Sequence, residues 1–480
     1  MTVVLPTAGP SVIAPLSTAL NPRTIMLLQG NIIPTLLRMA WPNVLVMLAQ
    51  ASVGLIETWW VSHLGTDALT GMALVFPGFM MVQMLSAGAM GGGISSAIAR
   101  ALGARKRDEA GALVAHALII NAALGLTFSA LVLLFGRPLY RALGGEGASL
   151  EAALTYSNVV FAGNLLVWVM NALASVIRGT GNMFVPAIAI CAGVVLLIPL
   201  SPLLIFGLGP IPALGMAGAG FAVLLTAALT VLVLGWYVWS GRALVRLRLA
   251  ALLPSALRWP LFADILRVGA VASISSLQTT LTIALTTALV GAVGGPGAVA
   301  GYGTAGRLEY LLIPLVFGLG APMVALVGTN IGAGQHARAL RIAMTGGALA
   351  LVLTEGIGVA AAIWPAAWLG LFGDDPRMLA SGAAYLRVVG PTYGFFGLGL
   401  SLYFASQGAG RLFWPLFAGL LRLLIAVGGG WIALSLTGSL NWLFAALALG
   451  LIVYGVLVAT TVGAGGWFRQ GDAVRHAGAK

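Results

Sequence analysis

Residues 38–65 read RMAWPNVLVMLAQASVGLIETWWVSHLG, and between Arg38 and His63 the single ionisable side chain is Glu57. At a rise of about 1.5 Å per residue such a segment is long enough to cross a hydrocarbon core of about 30 Å. Asn43, Met47, Gln50, Gly54 and Glu57 recur at steps of three and four residues, which gathers them on one face of a helix; the other faces are Leu, Val, Ala and Met. A polar stripe ending in a carboxylate has to face protein or a water-filled cavity when its helix lies in lipid. Glu57 is therefore the leading functional candidate, with Asn43 and Gln50 lining the same face.

The rest of the chain has the same character. Of its 480 residues 60% are hydrophobic and 8% charged, with a mean hydropathy of +1.03, against roughly 25% charged residues in an average soluble domain. Apolar runs without period-2 alternation exclude an outer-membrane barrel, so the expected fold is an all-α polytopic membrane bundle. The 66 glycines suit close helix packing in lipid. One cysteine, Cys191, and four unclustered histidines offer neither a disulfide nor a metal site. No cofactor is expected, and no nucleophile and base stand together as an enzyme would need.

After the opening helix, apolar segments at about 68–97, 111–136, 152–177, 184–207 and 214–240 complete six. A basic stretch separates them from six more at about 264–291, 299–328, 341–372, 379–405, 413–437 and 441–467. The implied division is a tail (1–33), a first lobe (34–240), a connecting loop (241–263), a second lobe (264–467) and a second tail (468–480). Eighteen of the 24 Lys and Arg fall in the tails or even-numbered loops. The positive-inside rule then places the loop, the 104–109 turn and both termini in the cytoplasm, and residues 208–213 and 292–298 outside. The net charge of +12 is a topology signal, and nucleic acid is not an expected partner. Residues up to about Pro34 lack a basic n-region and are broken by four prolines, so they predict a disordered tail rather than a signal peptide.

The halves repeat. An offset of 229 aligns LGA 102–104 with IGA 331–333, Tyr156 with Tyr385, and RGTGNMFVP 178–186 with QGAGRLFWP 407–415. Six crossings per half make the repeats parallel, related by a pseudo-two-fold axis along the membrane normal, with a cleft between lobes where transporters hold substrate. On the seventh helix Ser275, Thr279, Thr282 and Thr286 form a second polar stripe. Thr286 stands where the first lobe has Glu57.

The runs GLIETWWVSHLGTDALTG (54–71), SSAIARALGARKRDEA (95–110), RGTGNMFVP and GRLEYLLIPLVFGLGAPMVALVGTNIGAG (306–334), in this order and duplicated, resemble the multidrug and toxic compound extrusion transporters over roughly residues 34–467. The resemblance implies two six-helix lobes that rock between outward-open and inward-open states, exporting organic cations in exchange for protons or sodium. It makes Glu57 the match to the family's first-helix acid. Where family members carry an Asn-x-x-x-Asp pair in the fifth helix this chain has Leu197 and Ser201, and the tenth helix has no acid. Sodium needs several converging oxygens and a proton needs one group, so proton coupling is favoured over sodium.

Glu309 is the second coupling candidate; Arg307, two residues away, is on another face. Glu355 in LTEGIG has no counterpart that can be placed, and Arg178 and Arg411, at the ends of the fourth and tenth helices, read as topology or packing residues. An exporter of lipophilic cations combines acids with ring faces, which nominates Trp168, Tyr393, Phe396 and Tyr403 as cavity-lining residues. Trp59 and Trp60 fit an interfacial belt equally well. The expected partners are small organic cations and lipid, the expected state a monomer, and the expected location a bacterial inner membrane. The rival readings are a lipid-linked precursor flippase, which predicts a cluster of basic residues at mid-membrane, and a scaffold that transports nothing.

Overall fold

The structure is a computed structural model that describes residues 21–247 and 249–467. The placements assigned above to residues 1–20, Arg248 and 468–480 lie outside those residues. The described chain is helical, with one isolated bridge between Leu208 and Ile211. Ten helices are long and apolar enough to cross a membrane: Ile32–Ser62, Thr66–Gly103, Arg107–Ala142, Phe184–Phe206, Gly215–Trp239, Trp259–Gly332, His336–Ile363, Pro376–Ala409, Phe413–Thr437 and Leu440–Gly463. The pair Gly147–Ala162 and Asn164–Gly179, bent by 47°, forms one more span. The 74-residue run Trp259–Gly332 holds two, because Gly295 turns the chain at φ 68, ψ −169, a conformation open to glycine. Numbered in chain order these are spans 1 to 12.

Local chemistry sets several boundaries. Span 10 begins where the Asp375 carboxylate accepts a hydrogen bond from Met378 N at 2.7 Å, with Pro376 in the first turn. The apolar segment expected over 341–372 is not one helix. Span 9 ends at Ile363, because Pro365 cannot continue it and starts a separate short helix, Pro365–Leu369. The expected disordered tail is also corrected in part, since Pro22–Gln29 is a helix with Leu27 and Leu28 buried. Its packing explains why: Asn330 Nδ2 donates to Leu27 O at 3.0 Å, Arg338 donates to Gly30 O, and the Leu27 side chain lies over Gly181. That short helix touches both halves of the chain.

Spans 1 to 6 pack on one another and spans 7 to 12 do the same, with small residues at the crossings. A Cβ on Gly218 would lie 2.2 Å from Leu204 O, and one on Gly358 2.1 Å from Gly390 O. The two lobes meet at the end that carries the basic loops. There Gly103 abuts Thr329 O and Gly332 abuts Arg100 O, so the same repeat position presses on the opposite lobe from each side. Arg100 seals this seam through Asp264 Oδ1 at 2.7 Å and Gly408 O at 3.2 Å. At mid-depth Val44 packs into the space over Gly318, and Asn43 Nδ2 donates to Phe317 O at 3.0 Å. The part of span 2 away from the basic loops, Thr66–Gln83, packs within its own lobe. The bundle is thus closed at the basic end, and the lobes part toward the other.

Candidate functional site

Between the lobes lies a cavity of about 640 Å³, within the few-hundred to thousand Å³ typical of sites for small organic molecules. Spans 1, 2, 4, 5 and 6 supply one wall and spans 7, 8, 10, 11 and 12 the other. The π-helical turn Met84–Met90 in span 2 brings Met84, Ala87 and Gly88 to the wall; such bulges recur at functional sites.

Glu57 is on this wall, five residues before the C-terminal end of span 1, and is 1% exposed. Ser201 of span 5 and Tyr156 of span 4 stand beside it. Ser201 Oγ, which has no other partner, is the one hydroxyl within reach of the carboxyl, and no other described residue offers either oxygen a hydrogen bond. A buried carboxyl left so is completed by a proton or by a cation. Among the described residues no group of three or more His, Cys, Asp and Glu is placed to hold a metal.

The other candidates divide. Asn43, Gln50, Thr279, Thr282, Phe396 and Tyr403 line the cavity. Asn43 spends its amide on the opposite lobe, as described, and the Thr279 and Thr282 hydroxyls donate back to Ser275 O at 3.1 Å and Gln278 O at 2.9 Å. Three placements are corrected. Thr286 is 0% exposed, one turn beyond Thr282, and donates to its carbonyl. Trp168 is buried within the first lobe, its ring over Gly125 and stacked with Phe128 at 5.7 Å. Tyr393 is fully buried in the second lobe, where its neighbours are Tyr385 and Glu309. A helical stripe is wider than the part of it that a cavity reaches.

Glu309 is likewise off the wall. Arg422 Nη2 donates to its Oε1 and Tyr385 OH to its Oε2, each at 3.3 Å. Its neighbour Arg307 lies instead over the Phe372 ring. Glu355 accepts from Gly394 N at 2.7 Å, in the first turn of the helix Tyr393–Ala409, an anchoring contact at a helix N-terminus. Trp59 and Trp60 pack on each other and on His63 near the outer end of span 1, with Trp59 56% exposed, as belt residues do.

Sequence reasoning passed over several wall residues: Gln83, held by Asn171 Nδ2 at 2.9 Å; Phe317 and Phe404, ring to ring at 4.6 Å; and Gln278. It also passed over Arg422 and read Arg178 as a topology or packing residue, and both arginines are on the wall. Arg422 faces the cavity from span 11, its guanidinium 5.4 Å from the Phe396 centroid and 5.9 Å from that of Tyr454. Arg178 faces it from the last turn of span 4.

Comparison with known proteins gives the same picture. The chain is 27% identical over 380 residues to a FAD transporter of Shewanella oneidensis, covering 79% of this chain and 82% of that protein. It is 25% identical over 382 residues to a probable multidrug resistance protein NorM of Thermotoga maritima, covering 79% and 81%. A solved MOP superfamily transporter of Pyrococcus furiosus, whose binding pocket is described as of reverse polarity with a different function suggested, is similar at TM-score 0.82 and 25% identity over 92% of this chain and 97% of its own. The MatE family model matches residues 42–203 and again residues 272–432, once in each lobe. With this cavity between two matching halves, the chain belongs to the MatE family and is a membrane transporter rather than an enzyme.

Proposed function

We propose that this protein is a secondary antiporter that exports amphipathic organic molecules, cationic drugs among them, in exchange for protons. The observation that carries the reading is Glu57, a buried carboxyl with only the Ser201 hydroxyl in reach and no cation paired to it, on the wall of a cavity that opens away from the basic end. With the basic loops cytoplasmic, that opening faces outside, where protons enter. Proton and substrate compete for the cavity, and rocking about the glycine seam exposes it to the other side. Ring faces of Phe317, Phe396, Tyr403 and Phe404 supply a wall for flat or lipophilic cargo. The name of the Thermotoga relative supports drug export.

The test is transport in proteoliposomes with imposed gradients. A proton gradient alone should drive export, Glu57→Gln should abolish it while the protein stays folded, and Glu57→Asp should retain part. Export by Glu57→Gln at the wild-type rate would make Glu57 structural and overturn the assignment.

A further inference from the structure

Arg178 is the one feature of the cavity that cation export does not use. It is 8% exposed, yet it lines the cavity, and among the described residues no carboxylate or other acceptor forms a hydrogen bond or ion pair with its guanidinium. The acids that could have neutralised it are engaged or distant: Asp264 holds Arg100, Glu309 holds Arg422, and Glu57 stands toward the opposite end of the cavity. The C-terminal carbonyls of its own helix attract a cation, but none takes a hydrogen bond from it. Its nitrogens are open to the cavity rather than sealed in protein, and a charge that lines a cavity inside a membrane marks the path of a ligand.

Its surroundings form a floor at the closed end. Ser175, one turn earlier, lies against Gly91, and the next residue, Gly92, lies against Gln407. All of these line the cavity. Gln407 is the repeat equivalent of Arg178 at the 229 offset; its Nε2 donates to Gly88 O at 3.4 Å and its Oε1 is buried without a partner. The floor therefore holds a guanidinium with five free donors and an amide that a ligand could engage, directly below the aromatic walls.

We propose that Arg178, with Gln407 across from it, binds an anionic group, carboxylate or phosphate, on an otherwise flat apolar substrate. This rests on the cavity being the substrate site, and it extends the cargo from cations to amphipathic molecules that carry an anion.

The experiment measures equilibrium binding by calorimetry on the full chain in phosphatidylcholine nanodiscs, with 2-naphthyl phosphate, neutral 2-naphthol and a naphthylmethylammonium salt as probes. The phosphate should bind most tightly. Arg178→Gln should weaken it roughly ten- to a hundred-fold, the range of a charge-assisted hydrogen bond, and leave naphthol unchanged, and Arg178→Lys should restore part. Gln407→Glu puts a carboxylate on the same floor, so it should weaken the phosphate at least as much while the protein stays folded. Affinity that falls as phosphatidylglycerol is added assigns the subsite to a lipid headgroup; affinity that does not assigns it to a soluble anion. If the phosphate binds no tighter than naphthol, or if neither Arg178→Gln nor Gln407→Glu changes its affinity, the proposal is wrong. Because binding is measured without a proton gradient, a failure of coupling, read in the Glu57→Gln transport assay, is distinguishable from a failure of this site, read in the Arg178→Gln binding assay.

Discussion

Adding one methyl group to the seam should tip the protein out of the state seen here. A Cβ on Gly103 would lie 2.1 Å from Thr329 O and one on Gly332 2.0 Å from Arg100 O, and both targets are backbone. Cβ atoms do not approach oxygen within 3.0 Å, so each alanine needs about 1 Å of relief between two rigid helices, an overpacking that costs about 1–3 kcal/mol. Because the strained contact exists only while the lobes are closed at the basic end, that energy falls on one state. The ratio of the two states should move roughly 5- to 150-fold for each substitution. Spin labels at Thr66→Cys and Pro296→Cys, in a Cys191→Ser background, report the separation of the lobes at the other end. Gly103→Ala and Gly332→Ala should populate a shorter distance. Gly306→Ala is the control, since nothing lies within 4 Å of its Cβ. A distance distribution unchanged in the double alanine variant, at unchanged thermal stability, would refute the argument that these lobes rock about the glycine seam.

Other outcomes follow from the same contacts. Glu309→Gln should lower stability by about 1–3 kcal/mol, read as a drop in melting temperature, because it strips a part-buried Arg422 of its carboxylate, while proton-driven export survives in the folded fraction; loss of coupling with intact stability would return Glu309 to the proton path. Replacing sodium by choline on both sides of proteoliposomes should leave export unchanged, since Leu197 and Ser201 bring one oxygen between them to the side of Glu57; sodium-driven export under a proton clamp would contradict this. A cysteine at Pro296 should react only with an impermeant thiol reagent added outside, and one at Lys106 only from inside; the reverse pattern would invert the membrane orientation.

The fold was legible because membrane physics leaves few options. Apolar length gave the spans, and the 229-residue offset gave the two lobes. What misled was local: the run over 341–372 stays apolar through Pro365, so hydropathy could not see the break that a missing backbone donor makes there. The helix Pro22–Gln29 was hidden for the opposite reason. Its proline-flanked sequence is too short to form a helix alone, and only Asn330, Arg338 and the space above Gly181 hold it.

The site was legible only where a residue type is costly in itself. Glu57 stands out because a carboxylate in an apolar helix needs an explanation wherever the helix goes. Arginine near a helix end does not, because topology accounts for it, and Arg178 was set aside on that ground. Its meaning depends on which acids the fold gives to other cations, a tertiary fact: Asp264 goes to Arg100, Glu309 to Arg422, and nothing goes to Arg178. Aromatic residues fail as markers for a related reason. Trp168 and Phe396 differ little as sequence signals, yet one fills the inside of a lobe and the other faces the cavity, because ring burial is favourable in either place. Under the anion proposal, the charge ledger of the cavity, one acid toward the open end and an unanswered guanidinium at the floor, sets this protein's cargo apart from that of a simple cation exporter. It becomes readable only after every buried ion has been matched to its partner.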